Sequence, residues 1–313
     1  MDLKPIIPFE PVQTDDIPQG KQWIAQVKWD GVRILTYRNE EATKLFNRKK
    51  NERTFHYPEL NGLNRNIKAK SVILDGEVIA LKNGKPSFYE VMKRDGIRKI
   101  SKVQTVQKQV PITYMIFDLL YLDGTWITNR PLSERIGLLH EIFEPCDSVQ
   151  LVSSFEDGEA LFEAVKKQDL EGIVLKDLNS TYAPRGKDTR WLKKKNVHDL
   201  IAVVGGVALR DSLIHSLLLG LYDDEDRLWY IGHAGTGRLT QEDWRTLTRM
   251  IQPFVQEKMP FVNKPSRIKD TLWLKPLITV KVQYIEWIRD HTLRQPSIQA
   301  FVKHPPLQCR FKH

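Results

Sequence analysis

Short apolar runs rich in β-branched and aromatic residues recur along this chain of 313 residues, and they constrain its fold more than any other feature. Such runs are typical of strands of about 4–8 residues. A membrane-spanning helix needs ~20 consecutive apolar residues, and no run approaches that length. In the first half, strand-like runs alternate with helical periodicity at 133–143 and 157–168, with Asp157 as the N-cap of the second helix.

The second half is richer in strands than the first. Strand-like runs at 200–207, 213–222, 227–233 and 272–284 flank one helix, which a capping box at 240–243 opens. Short strands with a single helix predict a small β-barrel of the OB-fold type. We therefore divide the chain into residues 1–197, an α+β domain with antiparallel sheets and flanking helices, and residues 198–313, an OB-fold domain.

Two Asp-Gly pairs predict tight turns in the first half. Asp30-Gly31 joins the runs 23–28 and 32–37, and Asp75-Gly76 joins the runs 72–74 and 78–81. Both arrangements predict hairpin-like pairs of strands. The nearly continuous apolar run 112–120 predicts a buried strand.

Charge and cysteine content narrow the class of protein. The chain has 48 Lys and Arg against 39 Asp and Glu, a net charge of +9 that favours a polyanionic partner weakly because it spreads over both halves. One stretch, residues 185–195, concentrates six cations around a tryptophan. Cys146 and Cys309 have no second Cys or His at metal-ligand spacing, which excludes a disulfide scaffold or zinc module. We expect a cytoplasmic protein, without a membrane partner and monomeric.

Lysine and carboxylate motifs follow one another in a specific order. Lys28 ends a strand-like run and is followed by Asp30-Gly31 and Arg33. Downstream come Asn47-Arg48, Leu74-Asp75-Gly76-Glu77, Phe117-Asp118, Glu171-Gly172-Ile173-Val174-Leu175-Lys176 and Trp191-Leu192-Lys193-Lys194-Lys195. Taken singly, each has an ordinary interpretation: an exposed turn lysine, a core aromatic ring, a surface arginine, a solvated glutamate or a basic linker. The ordered set is specific.

A lysine nucleophile requires a particular environment. An ordinary lysine amine is neutral in about one molecule in 2,500 at pH 7. Nearby cations and desolvation increase that fraction. The candidates to act on Lys28 in this way are Arg33, Lys176, Lys193, Lys195 and a metal ion. The same cations would stabilise negative charge on an attacked phosphate.

In this order and spacing, the motifs resemble those of the covalent nucleotidyltransferase superfamily, specifically the ATP-dependent DNA ligases. The similarity is greatest to the two-domain ligase module of bacteria and prophages, which also occurs within multifunctional end-joining ligases. Segments 216–222, 230–237 and Glu286-Trp287 resemble its OB domain. The resemblance implies a nucleotidyltransferase (adenylation) domain over 1–197 that precedes the OB fold.

The resemblance also implies a reaction and a set of roles. Lys28 would attack ATP, release pyrophosphate and carry AMP to the 5′-phosphate of a nick in duplex DNA, which the 3′-hydroxyl then seals. The implied catalytic residues are Lys28, Asp30, Arg33, Lys193 and Lys195; those for the nucleotide are Gln26, Val27, Arg48, Glu77, Phe117, Val174 and Lys176; those for Mg²⁺ or Mn²⁺ are Glu77 and Glu171; and those for DNA are Arg48, Arg185, Lys187, Arg190 and Arg294. Phe117 would stack on adenine, whereas Gln26 stands where the family often has an adenine-contacting glutamate.

One motif departs from the family pattern. The last motif of the family carries an Arg and an Asp-Lys pair that orient the pyrophosphate, and the corresponding segment 301–305 offers only Lys303. We therefore expect self-adenylylation either to be slow or to be assisted by Arg310 or Lys312 in the basic tail. Because 27 residues precede Lys28, we also expect the two domains to hold DNA by themselves through phosphate contacts.

Two other functions remain open from the sequence. The first is an RNA ligase or a capping guanylyltransferase, against which Trp29 and the OB-domain similarity argue. The second is a nucleic-acid-binding module without catalysis, which the departed last motif favours. DNA-repair or end-joining proteins are the further partners that the resemblance implies, and the sequence does not distinguish repair, end joining and phage replication.

Overall fold

The computed structural model describes residues 3–288 and 291–311. The chain divides into two compact units, Met1–Asn196 and Val197–His313. Within the described residues, no helix has the length and apolar character needed to cross a bilayer.

The first unit contains two sheets and four helices among its described residues. Its strands are β1 (Glu10–Gln13), β2 (Trp23–Val27), β3 (Val32–Arg38), β4 (Thr43–Asn47), β5 (Val72–Lys82), β6 (Lys85–Pro86), β7 (Ile112–Leu122), β8 (Thr125–Trp126), β9 (Val149–Leu151), β10 (Gly172–Asp177) and β11 (Lys187–Lys195). Its helices are α1 (Phe88–Asp95), α2 (Val103–Gln109), α3 (Leu132–Ile142) and α4 (Gly158–Lys167), with 3₁₀ turns at Thr54–His56, Pro58–Arg65 and Ile100–Lys102.

The two sheets of the first unit share no strand. One has the order β1-β11-β10-β2, in which β1 is parallel to β11 and the other pairs are antiparallel. The other has the order β4-β3-β5-β7-β8, with β6 on β5 and β9 parallel on β7. Apart from these two parallel pairs, the sheets are antiparallel. The predicted α+β architecture is therefore confirmed.

Helix α4 covers the first sheet. The Asp157 side chain accepts a hydrogen bond from the N–H of Ala160 at 2.9 Å, as the predicted N-cap requires. Leu161, Phe162 and Val165 recur at helical spacing and are buried against β2 and β10. Because this apolar face lies on the sheet, α4 supports β2, which directly precedes Lys28, and β10, which directly follows Glu171.

Neither predicted Asp-Gly hairpin exists. Residues 72–82 form the single strand β5, and Gly76 lies where an added Cβ would come within 2.6 Å of the Tyr114 ring. The Asp75 carboxylate is buried inside the unit, so this Asp-Gly pair cannot turn at the surface. The Asp30-Gly31 connection carries the chain from β2, in the first sheet, to β3, in the second. It is a crossing between sheets, and it approaches β5 so closely that a Cβ on Gly31 would lie 2.1 Å from the Val78 carbonyl oxygen.

Helix α1 is an element that the sequence pattern does not predict. Its buried face includes Glu90 and Arg94 beside Val91, which interrupts the apolar periodicity. The fully buried Arg94 guanidinium makes two bonds to Glu59, at 2.9 and 2.8 Å. A charged residue can face the interior here because a carboxylate meets it in a bidentate pair.

The second unit is a β-barrel with one α-helix among its described residues. Its strands are β12 (His198–Arg210), β13 (Leu213–Tyr222), β14 (Leu228–Ala234), β15 (Thr236–Gly237), β16 (Val255–Gln256), β17 (Thr271–Tyr284), β18 (Trp287–Ile288), β19 (Thr292–Leu293) and β20 (Ser297–Val302). Its helix is α5 (Gln241–Met250), with 3₁₀ turns at Gln252–Phe254 and Pro306–Gln308.

The strand order of this barrel begins and ends in the same stretch of chain. The order is β14-β13-β12-β17-β20-β15, and only Gly235 separates β14 from β15, so the two ends of the order belong to nearly continuous chain. Helix α5 begins with the predicted capping box, in which Thr240 and Asp243 bond reciprocally. Val203, Leu219 and Ile231 are fully buried in the barrel core. The predicted OB-fold is confirmed.

Candidate active site

Lys28 directly follows β2, in the connection that crosses to the second sheet. Its Nζ lies 2.6 Å from Glu171 Oε1. Its backbone N–H donates to the Gly172 carbonyl at 2.9 Å. Gly172 has φ of +145°, and an added Cβ would lie 2.2 Å from the Lys194 carbonyl oxygen. Only glycine fits at this position, where β10 pairs with β11. The bond between Lys28 and Gly172 places the lysine next to Glu171.

Glu171 and Glu77 are the two carboxylates at this site that could hold a cation. Glu171 Oε2 is buried and has no hydrogen-bond partner among the described residues. Burial is the main cause that raises the pKa of Glu77, on β5, to about 8. The Glu171 and Asp30 carboxylates also raise it, against the lowering effect of Arg33 and Lys28.

The unpartnered, buried Oε2 of Glu171 beside Glu77 fits a divalent cation, because hard cations bind carboxylate oxygens. The described residues contain no group of three His, Cys, Asp or Glu side chains that could hold a metal ion. A cation beside Glu77 and Glu171 would therefore take its remaining ligands from substrate phosphate and water, as Mg²⁺ commonly does.

Strand β11 brings two lysines to the same face of the first sheet. β11 runs antiparallel to β10, with Lys193 opposite Val174 and Lys195 opposite Gly172. Alternate residues of a strand share a face, and the intervening Lys194 points to the other face, where its Nζ lies 5.1 Å from the Phe162 ring of α4. The pKa of Lys193 is lowered, mainly by burial and then by the nearby Lys28 and Lys187 cations. The structure thus brings Lys193 near Lys28.

Lys176 lies between aromatic rings. Its side chain is buried, with Nζ 4.3 Å from the Phe117 ring centroid and 4.1 Å from that of Trp191. Burial lowers its pKa to about 7, and the nearby Arg33 and Arg135 cations add to this against the opposing Asp118 and Asp75 carboxylates. The half-buried Phe117 ring also has the Arg33 guanidinium carbon 4.6 Å from its centroid. Lys176 is therefore surrounded by aromatic rings, and its Nζ also donates to the Phe117 carbonyl oxygen at 3.4 Å.

Arg33 is held by a buried network that the sequence does not reveal. Its Nε and Nη2 donate to the two carboxylate oxygens of Asp75 at 2.6 and 2.7 Å. The Tyr182 hydroxyl donates to Asp75 at 2.7 Å and accepts the Phe9 N–H at 2.9 Å. Arg33 Nη2 also donates to the Phe9 carbonyl oxygen at 3.2 Å. Asp75 belongs to a motif visible in the sequence, but no pattern singles out Phe9 or Tyr182.

The remaining nucleotide-site candidates line β2 and β10. Gln26 is buried and donates from Nε2 to Ser154 Oγ at 3.0 Å. Val174 lies opposite Gln26 in the strand register, and Val27 directly precedes Lys28. These side chains therefore belong to the same sheet as the Lys28–Glu171 pair.

The candidate DNA-binding residues fall into two groups. Arg48, Arg185 and Lys187 are exposed and form no ion pair with any residue that the structure describes. Arg190 instead pairs with Asp188, Nη2 to Oδ2, at 2.7 Å.

Two further residues that the sequence singles out lie in the second unit: Arg294, a DNA-binding candidate, and Lys303, in the departed last motif. Lys312, in the basic tail, lies outside the described residues. Arg294 Nη1 lies 2.7 Å from Glu286 Oε1. Lys303 is exposed just after β20, where its neighbours are anchored by the Thr279 hydroxyl, which bonds to the Val302 and His304 carbonyl oxygens.

Both units match models of known families. A family model described as the ATP dependent DNA ligase domain matches residues 12–195. A second, described as the ATP dependent DNA ligase C terminal region, matches residues 210–303.

Named relatives agree with these matches. The multifunctional non-homologous end joining DNA repair protein LigD of Mycobacterium tuberculosis is 30% identical over 286 residues, which cover 89% of this chain and 36% of that protein. DNA ligase 2 of Methanosarcina acetivorans is 32% identical over 259 residues, which cover 77% of this chain and 45% of that protein. The chain thus spans less than half the length of either relative.

Solved structures are similar over the whole chain. The crystal structure of the ligase domain from M. tuberculosis LigD is 27% identical, has a TM-score of 0.53, and is covered completely in both directions. A structure of a Lig E DNA ligase, 16% identical with a TM-score of 0.60, covers 94% of this chain and 99% of its own and supports the fold alone.

Proposed function

The chain belongs to the ATP-dependent DNA ligases, and on that premise we propose that it joins the 5′-phosphate and 3′-hydroxyl of a DNA nick through AMP carried on Lys28. The observation that carries this proposal is the contact of 2.6 Å between Lys28 Nζ and Glu171 Oε1. Glu171 can accept a proton from the Lys28 amine, and Lys193, near both, adds positive charge where a phosphate would lie, so this arrangement supports attack on a phosphate.

The first step forms one bond and breaks one bond. The Lys28 nitrogen attacks the α-phosphorus of ATP, and the bond from that phosphorus to the bridging oxygen breaks as pyrophosphate leaves. The attacking amine must lose a proton. Glu171 can accept it, because Glu171 Oε1 lies within the hydrogen-bond distance of ~2.6–3.2 Å that proton transfer requires. Lys193 stabilises the negative charge that develops on the α-phosphate.

The family uses ATP and a divalent metal ion. Glu77 and the unpartnered Oε2 of Glu171 would hold that ion, which supplies positive charge to the phosphate oxygens. We propose Mg²⁺ or Mn²⁺ in this role. Asp30, in the crossing connection, adds negative charge beside Glu77. Lys195, on the same face as Lys193, is proposed as a second phosphate contact.

The adenine would occupy the region of Phe117, Gln26 and Val174. The position of Phe117 beside the Lys28 sheet supports this: its ring contacts Lys176, which lies on β10, the strand that follows Glu171. Arg33 and Lys176 both lie near that ring. We expect Phe117→Ala to raise KM for ATP more than Phe117→Tyr does, because tyrosine keeps an aromatic face.

The test follows AMP through the reaction. The protein is incubated with ATP and Mg²⁺, and the mass gain of one AMP is measured for the wild type, for Lys28→Ala and for the exposed control Lys68→Ala. We expect the adduct in the wild type and the control only. Lys28→Ala should still seal a pre-adenylylated nick, because the lysine acts before that stage.

Two results would refute the proposal. Absence of both the adduct and the sealing in the wild type leaves a nucleic-acid-binding module. Transfer to nicked RNA or from GTP, in preference to nicked DNA and ATP, identifies the RNA ligase or capping type of enzyme.

The segment around Lys303 is expected to affect the rate at which Lys28-AMP forms. We propose that sealing of a pre-adenylylated nick is faster than formation of Lys28-AMP, since Lys303 is the one cation of segment 301–305. A burst of Lys28-AMP as fast as nick sealing contradicts this. We further propose a monomer that works with DNA-repair or end-joining proteins, a role that the name of the LigD relatives supports.

A further inference from the structure

A rigid loop, residues 47–51, joins β4 to the chain that returns beside it. Asn47 Oδ1 accepts the N–H groups of Lys49 and Asn51, both at 3.0 Å. Lys50 has a left-handed φ of +64°, and its N–H donates to the Asn47 carbonyl at 2.8 Å. The backbone of this loop is therefore fixed by its own hydrogen bonds.

The loop emerges at the end of the sheet where the nucleophile lies. In the pairing of β3 with β4, Asn47 lies opposite Ile34. Strand β3 begins at Val32, directly after the connection that contains Lys28 and Gly31. At about 3.3 Å per residue, the loop leaves the sheet roughly 10 Å along the strand from Gly31.

Three successive cations occupy the tip of this loop. Arg48, Lys49 and Lys50 are exposed and have no ion-pair partner within residues 3–288 and 291–311. The nearby Glu52 accepts the Thr54 hydroxyl at 2.8 Å. Like charges at such spacing repel one another, and a polyanion relieves that repulsion.

An exposed aromatic ring follows on the same segment. Phe55 is 62% exposed. The next residue is anchored, since His56 Nε2 lies 3.1 Å from the Ile97 carbonyl oxygen and its own carbonyl accepts a bond from Arg94 at 2.8 Å. Phe55 is therefore displayed by a well-anchored turn, where its ring can pack on the apolar face of a sugar.

We propose that residues 47–55 form a grip on the duplex beside the nick, in which Lys49 and Lys50 contact backbone phosphates and Phe55 packs against deoxyribose. This inference rests on the proposed ligase function and extends it from the Asn47-Arg48 motif to Lys49, Lys50 and Phe55. The partner is duplex DNA because Lys49 and Lys50 offer positive charge to phosphates and Phe55 offers an apolar ring to deoxyribose. All three lie at the end of the sheet near Lys28.

The experiment measures binding of the full chain to nicked duplex DNA between 50 and 200 mM salt. The variant Lys49→Gln/Lys50→Asn removes two charges and places asparagine at the left-handed position, which asparagine tolerates. The control Lys68→Gln/Lys166→Gln removes the same charge from exposed lysines that already pair with Glu144 and Glu163. The third variant is Phe55→Ala. Formation of Lys28-AMP without DNA is measured for each.

Each phosphate contact contributes about 0.9 to the slope of log affinity against log salt, so the double variant should flatten that slope by about 1.8. Over this salt range the wild type should therefore lose roughly twelvefold more affinity than the double variant. The control should keep the wild-type slope. Phe55→Ala should bind about fivefold to tenfold more weakly at an unchanged slope, because it loses apolar contact and no charge. All variants should form Lys28-AMP at the wild-type rate.

Three results overturn the inference. These are a double-variant slope equal to that of the wild type, an equal change in the control, and unaltered binding by Phe55→Ala. A wild-type protein that neither forms Lys28-AMP nor seals a pre-adenylylated nick contradicts the proposed function instead, so the two failures are distinguishable.

Discussion

Replacement of the buried Lys176 by methionine tests the electrostatics of the ring-lined position. Burial lowers the pKa of Lys176 from its ordinary 10.5 to about 7. At 1.36 kcal/mol per unit, burial of the charged amine costs roughly 4–5 kcal/mol. Cation–π contacts with Phe117 and Trp191, ~1–2 kcal/mol each when desolvated, offset part of that cost. Methionine has similar length and no charge, so Lys176→Met should raise the unfolding free energy by about 2 kcal/mol near pH 7.

The advantage of methionine should depend on pH. Between pH 7 and 10.5 the unfolded chain holds a proton on Lys176 that the folded chain has lost. Wild-type stability therefore rises with pH across this window, by as much as ~1.4 kcal/mol per unit. The difference between Lys176→Met and the wild type should shrink accordingly from pH 7 to pH 9.

Denaturant unfolding of both proteins at pH 7, 8 and 9 measures this difference. Lys68→Met is the matched control, because that side chain is 66% exposed and its replacement should give a difference that does not vary with pH. A constant difference for Lys176→Met would mean that the amine is not desolvated in the folded protein. Loss of stability at every pH would mean that the ring contacts outweigh the cost of burial.

Three other substitutions address the supports of the site. Gly172→Ala should lower the melting temperature and slow Lys28-AMP formation, because a Cβ would lie 2.2 Å from the Lys194 carbonyl oxygen; a normal rate would contradict the need for glycine. Asp118→Ala leaves the buried Arg135 unpaired and should cost about 3–5 kcal/mol in denaturant unfolding. Tyr182→Phe removes one hydroxyl that bonds to two buried groups and should cost about 1–3 kcal/mol, and an unchanged midpoint would argue against that network.

The sequence predicts those elements whose signals are local. Asp157 and the Thr240–Asp243 capping box open α4 and α5 as expected, because a cap depends on residues within one turn. The Asp75-Gly76 hairpin fails because burial overrides turn chemistry: the strand continues, and Asp75 receives Arg33. The sequence does not predict helix α1, because the buried Arg94 interrupts its apolar periodicity.

The candidate site likewise contains residues that the sequence predicts and contacts that it does not. Lys28 and Glu171 are visible as motif residues, and the structure brings them into contact. The bond between the Phe9 N–H and the Tyr182 hydroxyl joins residues 173 positions apart. No local pattern encodes such a pair, since it joins the residue that precedes β1 to the connection between β10 and β11, at the other end of the first unit.

The sheet that carries Lys28 has a consequence for how the protein is made. It pairs β1 and β2, near the start of the chain, with β10 and β11, at the end of the first unit. On a ribosome, β1 and β2 emerge early, and their partner strands come much later: β10 ends at residue 177 and β11 at residue 195. Because the pairing of distant strands costs loop-closure entropy before contacts are gained, Lys28 and Glu171 meet late in folding. An unfinished or prematurely ended first unit would therefore contain Lys28 without the strands that place Glu171 and Lys193 near it.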